Sequence, residues 1–176
     1  MHEADGTLLL AFLNTTFAGT ERIATPADYS RWLREHGVLP AGTHLNAHDV
    51  EVAHRLRDAL RSVIRGNACG DVDPNDVPTL NGFAATLPLR VRFTPSGGVN
   101  LEATESGVAG FHAAVLGAVF REELRGEWRR YKLCRNPDCE WAFFDESRNR
   151  SRLWCEMQTC GARAKMRAYR SRRAAT

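Results

Sequence analysis

Apolar residues recur along this chain with several different periods, and each period predicts an element. Residues 8–17, LLLAFLNTTF, form a nearly continuous apolar run that suits a buried helix or a buried strand. Thr25-Pro26-Ala27-Asp28 then supplies a capping residue, a proline at the first helical position and an acid in the first turn, so DYSRWLREH is expected to be helical until Gly37. Residues 46–65 carry Val52, Leu56, Leu60, Val63 and Ile64 at helical spacing, with Arg55, Arg57, Asp58 and Arg61 expected outside that face. Asp73-Pro74-Asn75-Asp76 starts a shorter helix through Leu80 and Phe83. The period then drops to two. LRVRF and VNLEA alternate across the turn residues Ser96-Gly97-Gly98, which predicts a β-hairpin near 88–104. From 106 to 127 the helical period returns, with Val108, Phe111, Val115, Val119 and Leu124 expected inside.

These elements predict an α+β fold that is mostly α. Residues 1–128 form a helical N-terminal body with a small β-hairpin, and residues 129–176 form a second unit without a flexible linker between the two, so the units are expected to pack together. Charge separates the same two regions. Residues 1–120 hold 9 Lys/Arg against 13 Asp/Glu, whereas residues 121–176 hold 15 against 8. A basic end on an acidic body points to a polyanionic partner for that end. No apolar run is long enough to span a bilayer, and the acidic start does not resemble a secretory signal, so a cytoplasmic location is expected.

Four of the five cysteines lie in the basic third. Cys134 and Cys139 have four residues between them, and Cys155 and Cys160 repeat that spacing after 15 intervening residues. In a reducing compartment, two close pairs read as a metal site rather than as disulfides. Zinc takes four thiolates in a tetrahedron, and Asn136-Pro137-Asp138 favours the tight turn that brings the first pair together. A site filled by four protein ligands has no position for water, so one structural Zn²⁺ is expected and not a catalytic one. Cys69, in RGNACGD, is read as incidental.

The stretch CRNPDCEWAFFDESRNRSRLWCEMQTCGARAKMRAYRSRR closely resembles the CGNR zinc-finger family. The likeness rests on the Asn-Pro-x-Cys knuckle, Phe-Phe-Asp, Ser-Arg-Asn-Arg-Ser-Arg, Trp-Cys and Cys-Gly-x-Arg-Ala-Lys. The body, with LLLAFLNT near its start, is similar to the stress-induced transcription-regulator domain that usually precedes this finger. The resemblance implies a bacterial protein that binds one zinc through the four cysteines and DNA through the finger. It fails at one position: the family's Asn is Ala162, giving Cys-Gly-Ala-Arg.

Candidate nucleic-acid contacts follow from the cations. Residues 146–176 hold nine Lys/Arg against two acids, more than a four-thiolate zinc with net charge −2 requires. Arg148, Arg150 and Arg152 alternate as if along an extended ridge. On a helix over 161–173, Arg163, Arg167 and Arg170 share a stripe, with Lys165, Arg172 and Arg173 also basic. Met166 and Tyr169 are expected to pack inward on the knuckles or the body, while Trp141 and Trp154 shield the metal. No nucleotide-binding loop, metalloprotease motif or nucleophile elbow is present, and the six histidines are dispersed, so no catalysis is expected. The reading is a DNA-binding regulator. Its body would act as a sensor for a small-molecule effector or as an oligomerisation module. The alternatives are a zinc-containing RNA-binding or protein-docking module, and a thiol redox sensor.

Overall fold

The computed structural model describes residues 2–40, 42–70 and 72–174; the side chains of residues 2–5, of Cys69 and of residue 174 lie outside that description. The first apolar run is helical: α1 spans His2–Leu13 and packs against the later helices on more than one side, which is why it lacks a polar stripe. Ala18 and Gly19, both with positive φ, then turn the chain between β1 (Thr16–Phe17) and β2 (Thr20–Glu21).

Helix α2 (Pro26–Glu35) is capped by Thr25, whose hydroxyl accepts from the Asp28 amide. Helix α3 (Ala47–Cys69) runs four residues beyond the predicted end. Asn46 and Asp49 close its start as a reciprocal capping box, and Gly70 ends it in the left-handed conformation. Helix α4 (Asp76–Thr86) lies along α3, and strands β3 (Leu89–Phe93) and β4 (Val99–Ala103) form the predicted antiparallel hairpin. Helix α5 (Gly107–Leu124) follows and packs on both α1 and the hairpin.

The core is built around α3. Leu56, Leu60 and Ile64 meet Leu9, Phe12 and Leu13 of α1, Tyr29, Trp32 and Leu33 of α2, and Phe111 and Val115 of α5. Phe12 sets its ring edge-on to Phe111 at 5.2 Å between centroids. Within this core the Tyr29 hydroxyl and Nε2 of His112 share a hydrogen bond of 2.9 Å. Burial holds that imidazole down to about 4, so the ring is neutral.

The C-terminal region is embedded in the same core. Strand β5 (Tyr131–Leu133) pairs with β6 (Ala142–Phe144), and Tyr131, Leu133 and Ala142 belong to the cluster that holds α1 and α3. A π-turn over Met157–Gly161 leads into the last helix, α6 (Ala162–Ala174).

Four expectations are corrected. Arg57 and Arg61 are buried on α3 rather than solvated, because α1, β2 and the β5–β6 loop supply their guanidinium groups with oxygen partners. Leu124 ends α5 in solvent at 71 % exposure. Met166 and Tyr169 are half exposed, since α6 points away from the body and packs mainly on the turn before it. Residues 147–152 are not an extended ridge: Arg150 has φ 51° and its amide closes a turn on the Ser147 carbonyl.

Candidate metal centre

Each cysteine pair is presented by a turn that the local sequence dictates. Cys134 follows β5, and its amide donates to the Trp141 carbonyl across the hairpin. Pro137 fixes the bend after Asn136, whose carbonyl accepts from the amides of both Cys139 and Glu140; Glu140 adopts φ 49° as the chain reverses. In the second pair the π-turn places Cys160 one wide turn after Cys155. Gly161 is buried where a Cβ would run into Met157 Sδ and the Trp154 ring, so the position is restricted by space and not by φ.

The four sulfur atoms all lie within 4.8 Å of one another. Cys139 Sγ is 3.7 Å from Cys155 Sγ, which is 3.8 Å from Cys160 Sγ. Four thiolates at the usual Zn–S distance of about 2.3 Å have tetrahedral edges of about 3.8 Å. The arrangement therefore fits one zinc ion, and the separations are far too long for disulfides. Burial, followed by the Cys139 and Cys134 thiols close by, pushes the Cys155 thiol well above its ordinary range. At Cys160 burial is outweighed by hydrogen-bond donors and the thiol is shifted the other way, and a metal among the four sulfurs would neutralise the thiolates together. Cys134, Cys139, Cys155 and Cys160 are positioned to bind one structural zinc. The expected shield is also present: Trp141 and Trp154 pack with Phe143 against the cysteines.

The surrounding polar groups had no clear signal in the sequence. Asn136 is fully buried. Its Nδ2 donates to Cys160 Sγ at 3.7 Å, and its Oδ1 accepts from an Arg167 guanidinium nitrogen at 2.9 Å. Arg152 donates to the Trp154 and Cys155 carbonyls and lies over the Phe143 ring at 5.3 Å. Lys132 and Asp145 form a buried ion pair of 2.7 Å under the basic turn. Lys132 Nζ also donates to the Arg150 carbonyl, while Asp145 accepts from the Ser147 amide and hydroxyl and from the Arg152 amide. Burial alone would raise the Asp145 carboxyl, but these donors outweigh it and hold the group at about 2.

The body clamps the first knuckle. Asn14 donates to the Ala142 carbonyl at 2.9 Å and accepts from the Ala142 amide at 2.7 Å, and the Ala18 amide donates to the Cys139 carbonyl. Arg61 bridges the Leu13 and Glu140 carbonyls, Arg65 meets the Glu140 carboxylate, and Arg135 reaches back to the Ala68 carbonyl. A visible trace of Asn14 existed, since it is the polar residue that interrupts LLLAFLNTTF.

The nine candidate cations occupy different environments. Arg152 and Arg167 are tied to the metal site, and Arg150 lies 3.7 Å from the Glu127 carboxylate. Arg148, Arg163, Lys165, Arg170, Arg172 and Arg173 are exposed, with Arg173 over the Tyr169 ring. Arg163, Arg167 and Arg170 line one groove with Gln158, Thr159 and Met166. Ala162, where the family has Asn, is exposed on that groove and takes no part in the metal site.

Among the described residues no helix is long and apolar enough to cross a membrane. No curated protein matches the chain. Residues 130–173 match the family described as CGNR zinc finger, and residues 6–126 match the one described as "Putative stress-induced transcription regulator" (ABATE). The second match spans most of the chain: the protein belongs to the ABATE family and carries a C-terminal CGNR zinc finger.

Proposed function

We propose that this protein is a bacterial, cytoplasmic transcription regulator that binds duplex DNA through its zinc finger and performs no catalysis. The observation that carries this reading is the state of α6. Its 13 residues are exposed from Lys165 to Arg173, and its packing is mainly on the π-turn that ends at the metal site. A helix that leaves Met166 and Tyr169 half exposed and packs mainly at its first turn lacks the side-chain burial that normally stabilises one. Insertion into a nucleic-acid groove supplies that environment. At about 20 Å long and 10–12 Å wide, α6 suits the major groove of B-DNA, whereas the deep, narrow major groove of A-form RNA does not admit it.

In this reading Arg163 and Arg170 contact phosphates from one side of α6, with Lys165, Arg172 and Arg173 along the rest of it and Arg148 on the neighbouring turn. Arg150, Arg152 and Arg167 act chiefly through the protein, by holding the turn and the knuckles in place. When bound, zinc supplies the crosslink that fixes the two knuckles, and Arg167 and Asn136 orient the base of α6 upon it. The body senses an effector and passes a change of shape to the knuckle through Asn14, Arg61 and Arg65.

Duplex binding measured across salt tests the proposal. The wild type is expected to bind with a steep salt dependence, and Arg163→Ala with Arg170→Ala to weaken binding and flatten the slope by about one per residue, at one zinc per chain. Absence of salt-dependent duplex binding by the wild type overturns it. Tighter binding of structured RNA at matched salt moves the assignment to RNA, and capture of a protein through Met166 and Tyr169 moves it to docking.

A further inference from the structure

Strands β3 and β4 form a two-stranded sheet by themselves, so among the described residues both edges are unpaired. Leu89, Val91 and Phe93 lie opposite Ala103, Leu101 and Val99, and these three pairs share one face. Helix α5 covers only the base of that face. Leu89 packs beside Gly117, and Arg121 donates to the Leu101 carbonyl. Beyond this point the helix and the hairpin separate. An open groove of about 440 Å³ remains between Val91, Val99 and Leu101 on the sheet and Phe120 and Leu124 on α5.

The face is unusually apolar for a solvent boundary. Phe93 is 72 % exposed, Leu124 71 %, Val91 62 %, Val99 59 % and Phe120 51 %. At ~150–200 Å² for each such residue when fully exposed, the five present roughly 500 Å² of contiguous apolar surface, at the upper end for a monomer. With the flanking polar residues the face approaches the roughly 800 Å² per partner that a stable complex buries.

We propose that this face joins two copies of the chain in a two-fold dimer. Two features favour a second copy as the occupant. Phe93, near the hairpin tip, is exposed and is not among the residues that line the groove, so it is available to the groove of a second copy, and a two-fold axis makes that exchange reciprocal. The groove itself carries both signs, with Glu102 on the hairpin and Arg121 on α5 along its lining. A two-fold partner can match each cation with an acid, whereas a nucleic acid or an anionic surface requires a single sign. The dimer does not depend on the DNA reading. Where both hold, it joins two α6 helices in one particle, so that two half-sites are engaged together.

Sedimentation of the zinc-loaded full chain at micromolar concentration, without nucleic acid, tests the dimer separately from DNA binding. The wild type is expected at the mass of two 19.7 kDa chains. The double variant Phe93→Glu with Leu124→Glu is expected to dissociate about a hundredfold more readily, with unchanged circular dichroism and zinc content. If that variant fails to fold, concentration-dependent amide exchange of the wild type decides instead, with protection expected over 89–103 and 117–124. A wild type that stays monomeric overturns the proposal, including one that binds an apolar dye in the groove. Dimer protection confined to other segments overturns it too.

Discussion

Arginines close to one metal site serve two different ends in this molecule. In the turn over 147–152, Arg152 is consumed by the carbonyls of Trp154 and Cys155 and by the Phe143 ring, and the backbone beneath it is held by the buried Lys132–Asp145 pair. On α6, Arg163 and Arg170 extend into solvent along a groove. The residue type is the same and the separation in sequence is small. What differs is the supply of unmatched acceptors. The knuckle leaves carbonyls that need donors, and the nearest guanidinium satisfies them; α6 satisfies its own backbone and leaves Arg163 and Arg170 to other partners. A count of positive residues therefore overstates the binding surface wherever a small metal site lacks a core.

Removing the metal should break the contrast outright. Cys155→Ser, or chelation of the wild type, is expected to abolish zinc binding and to cost several kcal/mol or more, since metal binding is part of the folding free energy in such units. Zinc content and the fluorescence of Trp141 and Trp154 report the loss, and the thermal midpoint of the whole chain should fall with it because Ala142 is held in the main core. Lys132→Met comes next. It leaves the fully buried Asp145 carboxylate without its cation, at an expected cost of about 3–5 kcal/mol in denaturant unfolding.

Acid sharpens the architectural half of the contrast. Asp145 titrates at about 2 in the folded chain against an ordinary 3.8, so its stabilising contribution is complete above the ordinary value and is lost as pH falls from there toward 2. The stability difference between wild type and Asp145→Asn should therefore narrow by on the order of 2 kcal/mol across that window. Loss of zinc affects both proteins and largely cancels in the difference. Arg152→Ala is expected to cost about 1.5–3 kcal/mol through its charged hydrogen bonds, while Arg163→Ala stays within about 0.5 kcal/mol in stability. Salt-dependent duplex binding should respond more strongly to Arg163→Ala. The smallest effect is expected from Ala162→Asn, which restores the family residue at an exposed site: stability within about 0.5 kcal/mol, zinc unchanged, and any change confined to duplex binding.

The sequence revealed those parts of the molecule whose cause is local. Thr25-Pro26 and Asn46 with Asp49 mark helix starts through their own side chains, and the alternation in LRVRF and VNLEA sets the register of a hairpin from within. Matched cysteine spacing likewise announced the metal. What remained hidden depends on distant partners. Arg57 and Arg61 look like solvated helix residues until Glu21, Leu13 and Glu140 are brought to them. The inward packing expected of Met166 and Tyr169 failed because helical periodicity identifies a face and not whether anything lies opposite it. The strands β5 and β6 are three residues each, too short for an alternating pattern to register.

The Asn14 clamp also bears on the order of events during synthesis. Asn14 and Ala142 are 128 residues apart, so the end of α1 leaves the ribosome long before the strand that satisfies its amide. Non-local closures of this kind slow folding, because chain entropy is lost before the contacts form. The body consequently reaches its final packing only once the last quarter of the chain has begun to emerge, and in a nascent chain arrested before Ala142 the Asn14 amide would be left to water.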